Sequence, residues 1–180
     1  MAARKNRESF EKLCTENWQF VYNEAFSICY DEETANETAV AFFLFLEKEL
    51  RTNDKTFNSA DWMRENVMKT CGTILRRKVK EEMKIRKDCP IRDEKASESA
   101  FIEYTDEKIV RLITDGAVND EIFRNLTVGE KAVLALTAVR NMDERETAAF
   151  LKTSVNNIKT LRDRGILKIA ASMRFFGKIG

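Results

Sequence analysis

Apolar residues recur at steps of three and four positions along most of the chain, which predicts α-helices. In the first 60 residues this spacing predicts one or two helices over residues 8–30 and a further helix from about Asp31 to Leu50. The acidic stretch that begins at Asp31 favours a helix start, because carboxylates are stabilised by the positive N-terminal end of a helix dipole.

The helix that follows Asp31 is apolar around an unusually wide arc. Its main apolar face is formed by Ala35, Ala39, Phe42, Phe43 and Leu46, and the arc is extended by Val40, Leu44 and Phe45. A helix with so wide an apolar surface either lies at the centre of a bundle or is covered in part by a partner. The pattern leaves both interpretations open.

A third helix is predicted after a polar loop over residues 51–60. It opens at Asp61, Trp62 and Met63, and its second half is rich in basic residues from Arg76 onward. Such a run is explained equally well by a solvated helix end and by a surface that binds phosphates. The segment around the only proline, Pro90, is the best candidate for a linker.

Shorter helices are predicted from residue 117 to the end of the chain. Thr127 and Glu130 fit a capping box, in which each side chain bonds the backbone of the other residue. The helix continues to about Arg140 and is interrupted over residues 141–143.

Residues 144–161 have the pattern of a helix-turn-helix. Ala148 is small where the two helices cross, Leu151 fills the wedge between them, and Ser154 can cap the second helix. The inward positions of the second helix are Val155, Ile158 and Leu161. An ordinary hairpin of core helices is the alternative, but the combination of these features favours DNA binding.

Two positions near this motif have special backbone requirements. Lys152 stands where such turns usually carry a glycine in the left-handed conformation, so mild strain is expected there. Gly165 indicates either a close approach of another helix or a bend in the second helix of the motif; both interpretations are open.

The outward side chains of the second helix have the chemistry of DNA recognition. Asparagine can bond the edge of adenine with two hydrogen bonds, and lysine or arginine can bind guanine or phosphate. The second helix of this motif lies in the major groove of duplex DNA. The predicted contacts are Ser154, Asn156, Asn157, Lys159, Thr160, Arg162 and Arg164.

Composition agrees with a helical protein. The 180 residues include 6 glycines and 1 proline, and they suffice for one compact domain or two small ones. The net charge of +1 says nothing about partners. Its distribution says more, because residues 61–100 carry 11 basic and 8 acidic side chains and residues 127–180 carry 10 and 5. These two basic blocks are the parts of the chain that can meet phosphates.

Several classes of function receive no support from the sequence. The chain has no histidine, the commonest general base, and no glycine-rich nucleotide-binding loop, so we expect a protein that is not an enzyme and needs no metal or cofactor. Its four cysteines form no CxxC pair, which is typical of reduced thiols in the cytoplasm. The longest apolar run, residues 39–46, is far shorter than the roughly 20 residues that span a bilayer. No contact with a membrane is therefore expected.

Both halves of the chain resemble sigma factors of the extracytoplasmic-function type, which contain conserved regions 2 and 4 joined by a linker. Residues 142–169 resemble the stretch of region 4 of the type Leu-Ser-Tyr-Glu-Glu-Ile-Ala-Glu-Ile-Leu-Gly-Ile-Ser-Val-Gly-Thr-Val-Lys. The residues in matching places are Ala148, Leu151, Ser154, Val155, Ile158 and Lys159.

The resemblance to region 2 is looser. Residues 35–46 resemble the family's helix Ala-Glu-Asp-Leu-Val-Gln-Glu-Val-Phe-Leu, except that Val40 and Ala41 replace the usual Gln and Glu. Trp62 and Met63 resemble the Trp-Leu that opens region 2.3, and residues 74–77 resemble its closing Tyr-Leu-Arg-Arg. Between them, Lys69 and Thr73 replace the usual Asn and Asp.

The resemblance implies an all-α fold with two small helical domains, a region 2 bundle over residues 1–87 and a region 4 helix-turn-helix over residues 117–180. A linker over residues 88–116 would join them. It implies a cytoplasmic sigma factor that directs transcription initiation, binding core RNA polymerase through the β′ clamp helices and the β flap. An anti-sigma factor is a partner typical of the family, although no residue here shows one.

The resemblance also implies three sets of binding residues. The final helix would read the duplex −35 element. The melted −10 element would be bound by Asn53, Lys55, Phe57, Asn58, Trp62, Lys69, Arg76, Arg77, Lys78 and Lys80. The β′ clamp helices would be bound by Glu37, Val40, Ala41 and Leu44.

Two other functions remain open, and the departures at Val40 and Ala41 favour the first of them. One is a helix-turn-helix regulator that kept the sigma architecture but binds duplex DNA without polymerase. The other is an interaction protein that a further factor recruits to promoters.

Overall fold

The computed structural model describes residues 2–52, 59–85, 111 and 123–176, and the side chains of 10–51, 59–84, 111 and 123–172. Within these residues the regular structure is entirely helical, which confirms the all-α prediction. The helices are α1 (Ala2–Cys29), α2 (Glu32–Thr52), α3 (Ala60–Ile85), α4 (Val128–Leu134), α5 (Glu144–Leu151) and α6 (Val155–Phe176).

The chain divides into two compact units, Met1–Ile74 and Leu75–Gly180, and the division falls within α3. The second half of α3 therefore groups with the C-terminal helices. The predicted linker over residues 88–116 lies outside the described residues except for Arg111. The two sigma-type domains and their limits stay a prediction.

In the first unit, α1 and α2 form a helical hairpin across the two-residue connection Tyr30–Asp31. The Asp31 carboxylate accepts hydrogen bonds from the backbone N–H of Thr34, at 3.0 Å, and from the Thr34 hydroxyl, at 2.7 Å. This cap confirms the predicted helix start at Asp31. Residues 2–29 form one continuous helix, which decides between the one or two helices that the pattern allowed.

The wide apolar arc of α2 is divided between the core and the surface. Ala35, Ala39, Phe42 and Leu46 are buried against the rest of the unit. Val40, at 49% exposure, and Leu44, at 62%, face outward. The outer part of the arc is thus a surface feature, and α2 is not a helix enclosed on all sides.

Helix α3 starts one residue before the predicted position. The hydroxyl of Ser59 accepts a hydrogen bond from the backbone N–H of Trp62, at 3.1 Å, and so caps the helix. Met63, Val67 and Cys71 are buried, and the Cys71 thiol lies 4.0 Å from the carbonyl oxygen of Ala25 on α1.

In the second unit, α4 begins with the predicted capping box. The N–H of Glu130 donates to the Thr127 hydroxyl, at 3.3 Å, and the N–H of Thr127 donates to the Glu130 carboxylate, at 2.9 Å. Glu130 is fully buried and pairs with the Lys168 ammonium of α6, at 2.7 Å. Because a buried carboxylate is costly without such partners, this pair ties α4 firmly to α6.

Glu82 joins the second half of α3 to the start of α4. Its carboxylate accepts hydrogen bonds from the Thr127 hydroxyl and from the backbone N–H of Gly129, both at 3.1 Å. These bonds satisfy an N–H that the first turn of a helix leaves without a helical partner. Glu82, which only interrupts a basic run in the sequence, is a structural cap in the fold.

After Leu134 the chain makes a π-helical turn over Ala135–Val139, so the α-helix predicted to Arg140 ends earlier than expected. The predicted break is confirmed, since residues 141–143 are not helical and Asn141 is left-handed, with φ of 55°. The turn buries Leu136 completely.

Helix α6 packs closely against α4 at Gly165. An added Cβ atom would lie 2.8 Å from the Cδ1 atom and 3.3 Å from the Cγ atom of Leu134, which is itself buried. Helix α6 runs unbroken through this position. The structure therefore shows the close approach of helices that Gly165 had indicated.

Replacing Gly165 by alanine is expected to destabilise the protein by roughly 1 kcal/mol. The overpacking cost of about 1–3 kcal/mol exceeds the gain of about 1 kcal/mol in helix propensity. In a Leu134→Ala background the clash is removed, so there the same substitution is expected to stabilise. Urea unfolding of the unchanged chain, the two single variants and the double variant measures both effects. If Gly165→Ala changed the free energy of unfolding with the same sign in both backgrounds, the close contact with Leu134 would not be the cause.

Candidate nucleic-acid interface

Helix α5, the first helix of the predicted motif, is fixed at its start by a second capping box. The N–H of Glu146 donates to the Asp143 carboxylate, at 2.7 Å, and the N–H of Asp143 donates to the Glu146 carboxylate, at 2.9 Å. The Asp-x-x-Glu spacing that signals this box is present in the sequence but was not part of the prediction.

The turn between α5 and α6 has the expected left-handed residue. Lys152 has φ of 49° and ψ of 49°, and its N–H bonds the carbonyl of Ala149, at 3.2 Å. A non-glycine residue in this conformation has its Cβ atom close to the following carbonyl. The prediction of mild strain at Lys152 is confirmed in its geometry.

Replacing Lys152 by glycine is expected to stabilise the protein by about 0.5 kcal/mol. Relief of left-handed strain, about 1–2 kcal/mol, is offset in part by about 0.4–1 kcal/mol from the greater entropy of glycine in the unfolded chain. Lys152→Ala is the matched control, because it removes the same side chain but keeps the strain. If chemical unfolding gave the same change in the free energy of unfolding for Lys152→Gly and Lys152→Ala, the left-handed backbone would not be the cause of the stabilisation.

Helix α6 is held at the predicted crossing with α5. The Ser154 hydroxyl accepts a hydrogen bond from the N–H of Asn157, at 3.2 Å, as expected of its cap. Four of the five core positions are buried, and only Val155 departs, being half-buried. The buried four are Ala148, Leu151, Ile158 and Leu161.

The predicted reading residues of α6 differ in how far they are already engaged. Asn156 is exposed, whereas the amide of Asn157 donates to the Thr153 hydroxyl, at 2.8 Å. The Thr160 hydroxyl donates to the backbone carbonyl of Asn156, at 2.8 Å. Arg162 and Arg164 are half-buried, and each takes part in an interaction within the protein.

Lys159 is exposed and forms an ion pair with Glu144, the first residue of α5, at 3.6 Å. Next to this pair, burial raises the pKa of Asp163, with the charge of Glu144 acting in the same direction and Arg162 and Lys159 opposing it. The two acids lie beside the basic groups of the same surface. When charged, Glu144 and Asp163 repel phosphates that approach this surface. Glu144 was not among the residues predicted for the site.

The second half of α3 carries a basic face within the second unit. Arg77, Lys80 and Lys84 are exposed, and their spacing of three and four residues places them on one side of the helix. Arg76 lies at the edge of this side and is half-buried, whereas Lys78 is half-buried on the opposite side. Lys84 was not among the predicted −10 contacts. Its position four residues after Lys80 places both side chains on the same side of the helix, so the sequence spacing could have predicted it.

The structure describes only two of the other predicted −10 residues, Trp62 and Lys69. Trp62 is half-buried and its ring stacks on Phe45, with centroids 6.3 Å apart and planes at 18°. Lys69 is exposed and paired with Glu65, at 2.6 Å. Both belong to the first unit, whereas Arg76 to Lys80 belong to the second. Asn53, Lys55, Phe57 and Asn58 lie outside the described residues.

The four predicted polymerase contacts share one face of α2. Val40 and Leu44 are exposed, and Glu37 and Ala41 beside them are half-buried. Phe45, at 37% exposure, extends this face toward Trp62. We call Val40, Ala41, Leu44 and Phe45 the apolar strip. Phe45 was not in the predicted set, although the width of the apolar arc had pointed to it.

Comparison with protein-family models and with curated proteins gives no match for this sequence. Within the described residues, no helix is long and apolar enough to cross a membrane. In the same part of the chain, no group of three or more His, Cys, Asp or Glu side chains is placed so that it could hold a metal ion.

Proposed function

We propose that the chain is a sigma factor that binds core RNA polymerase and directs promoter recognition and opening. In this proposal α6 reads the duplex −35 element, the basic face of α3 holds phosphates beside the melted −10 strand, and the apolar strip of α2 docks on polymerase. The chain itself carries out no chemistry, since the polymerase forms the RNA chain.

One observation carries the DNA-binding part of this proposal. The α5–α6 pair combines a capped first helix, a left-handed turn at Lys152, a cap at Ser154 and an exposed amide at Asn156. Asparagine and lysine near the start of the second helix are the side chains that reach base edges in the major groove. The combination of these features favours DNA binding over an ordinary hairpin of core helices.

The exposed apolar strip supports the polymerase part. Val40 and Leu44 are large apolar side chains on the surface of α2, and water is a poor environment for them. Exposed apolar surface of this kind is typical of sites where another protein docks. The position matches the helix by which the resembled family binds the β′ clamp helices.

The proposal is tested by mixing the purified full chain with bacterial core RNA polymerase, first for binding and then for transcription from a library of upstream sequences. Binding together with starts that depend on the chain is the expected result. Specific binding to duplex DNA without any binding to polymerase would instead favour the regulator, which would bind as a dimer on a palindrome. Neither activity without a further protein would point to the recruited factor.

A further inference from the structure

We infer that Asn156 is the side chain of α6 that selects a base, and that the base it selects is adenine. Asn157, which is the same amino acid at the next position, would not read a base. This inference rests on the proposed function, because it assumes that α6 enters the major groove. It goes further by separating two residues that are chemically identical in the sequence.

The two amides differ in their hydrogen bonds. The Asn157 Nδ2 atom donates to the Thr153 Oγ1 atom at 2.8 Å, and the residue is half-buried. Its backbone N–H also bonds the Ser154 hydroxyl, so Asn157 belongs to the capping structure that starts α6. To reach a base, its side chain would have to give up a bond that holds the turn.

The Asn156 side chain does not take part in the capping structure of α6. It is exposed, and within the described part of the chain no hydrogen bond or ion pair engages its amide. Only the backbone carbonyl of Asn156 is used, as an acceptor for the Thr160 hydroxyl at 2.8 Å. Both the donor and the acceptor of the Asn156 amide are therefore available to a ligand.

Asn156 also stands where the helix meets DNA. With 100° between successive residues, Asn156 and Thr160 lie opposite the buried Ile158 and Leu161, at the centre of the outward face. Asn156 is the second residue of α6, and it is the N-terminal residues of such a helix that contact base edges.

The remaining candidates on α6 are weaker readers. Lys159 is drawn toward Glu144 on α5, at 3.6 Å, and Arg162 and Arg164 are half-buried and already engaged. These cations are therefore less available to a base than the Asn156 amide is. An amide with both atoms available matches adenine, which offers an acceptor at N7 and a donor at N6 in the major groove.

The test is in vitro selection of duplex DNA from a randomised library by the full chain, both alone and with core RNA polymerase. The unchanged chain is expected to select a site with an adenine. Asn156→Ala is expected to lose discrimination at that base pair by roughly 5- to 150-fold, the range of one good bidentate contact, measured as the affinity ratio of A·T to G·C duplexes.

Asn157→Ala is the matched control, since it removes the same amide one position away. It is expected to lower the melting temperature and to keep the adenine preference, whereas Asn156→Ala is expected to leave the melting temperature unchanged. Loss of the preference in Asn157→Ala, or its survival in Asn156→Ala, would overturn the inference and leave the proposed function intact. Failure of the unchanged chain to select any sequence in either setting would overturn both.

Discussion

Replacing Leu44 by aspartate is expected to weaken binding of the chain to core RNA polymerase by at least about 30-fold, which corresponds to the roughly 2 kcal/mol of an interface hot spot. Leu44 is 62% exposed at the centre of the apolar strip, so its side chain is free to insert into a partner. An aspartate there would bring an unpaired carboxylate into the interface. Val40→Asp, one turn earlier, is expected to have a similar effect.

The fold should tolerate both substitutions, because exposed positions away from caps and cores usually change stability by less than about 0.5 kcal/mol. Asn23→Asp is the matched control: it adds the same carboxylate to an exposed site of the same unit, on α1 rather than on the face of α2 that carries the apolar strip. Affinity is measured by fluorescence anisotropy of the labelled full chain with purified core enzyme. Unchanged affinity of Leu44→Asp would remove the apolar strip from the polymerase interface.

Replacing Arg77, Lys80 and Lys84 together by glutamine is expected to weaken binding of single-stranded DNA by roughly 100-fold at 0.1 M salt. Each phosphate contact to a single strand contributes about 0.7 to the slope of log affinity against log salt, so the slope is expected to fall by about 2. The three side chains share one exposed face of α3, which lets them follow a strand of phosphates together.

Lys78→Gln is the control for charge alone, since Lys78 lies on the opposite side of the same helical segment and is half-buried. The slope for this variant is expected to stay as in the unchanged chain. Binding of a labelled mixed-sequence 20-nucleotide strand, titrated at several salt concentrations, gives the slopes. Equal slopes for the triple variant and the unchanged chain would show that this face does not bind phosphates.

The sequence alone determined the local features of this protein. Helix starts at Asp31 and Thr127, the break after Arg140 and the cap at Ser154 were predicted because a cap depends on residues within one turn of each other. The four buried positions of the α5–α6 crossing followed from helical periodicity for the same reason. The left-handed Lys152 was predicted from its place in the motif.

What the sequence could not supply were contacts between residues far apart in the chain. The bond from Gly129 to Glu82, the ion pair of Glu130 with Lys168 and the close approach of Leu134 to Gly165 have no local signal. Exposure is a tertiary property as well: Val40 and Phe42 are both apolar residues of α2, and only packing against neighbouring helices places one outside and one inside. The difference between Asn156 and Asn157 has a local cause instead, since the Asn157 amide bonds Thr153, four residues earlier in the chain.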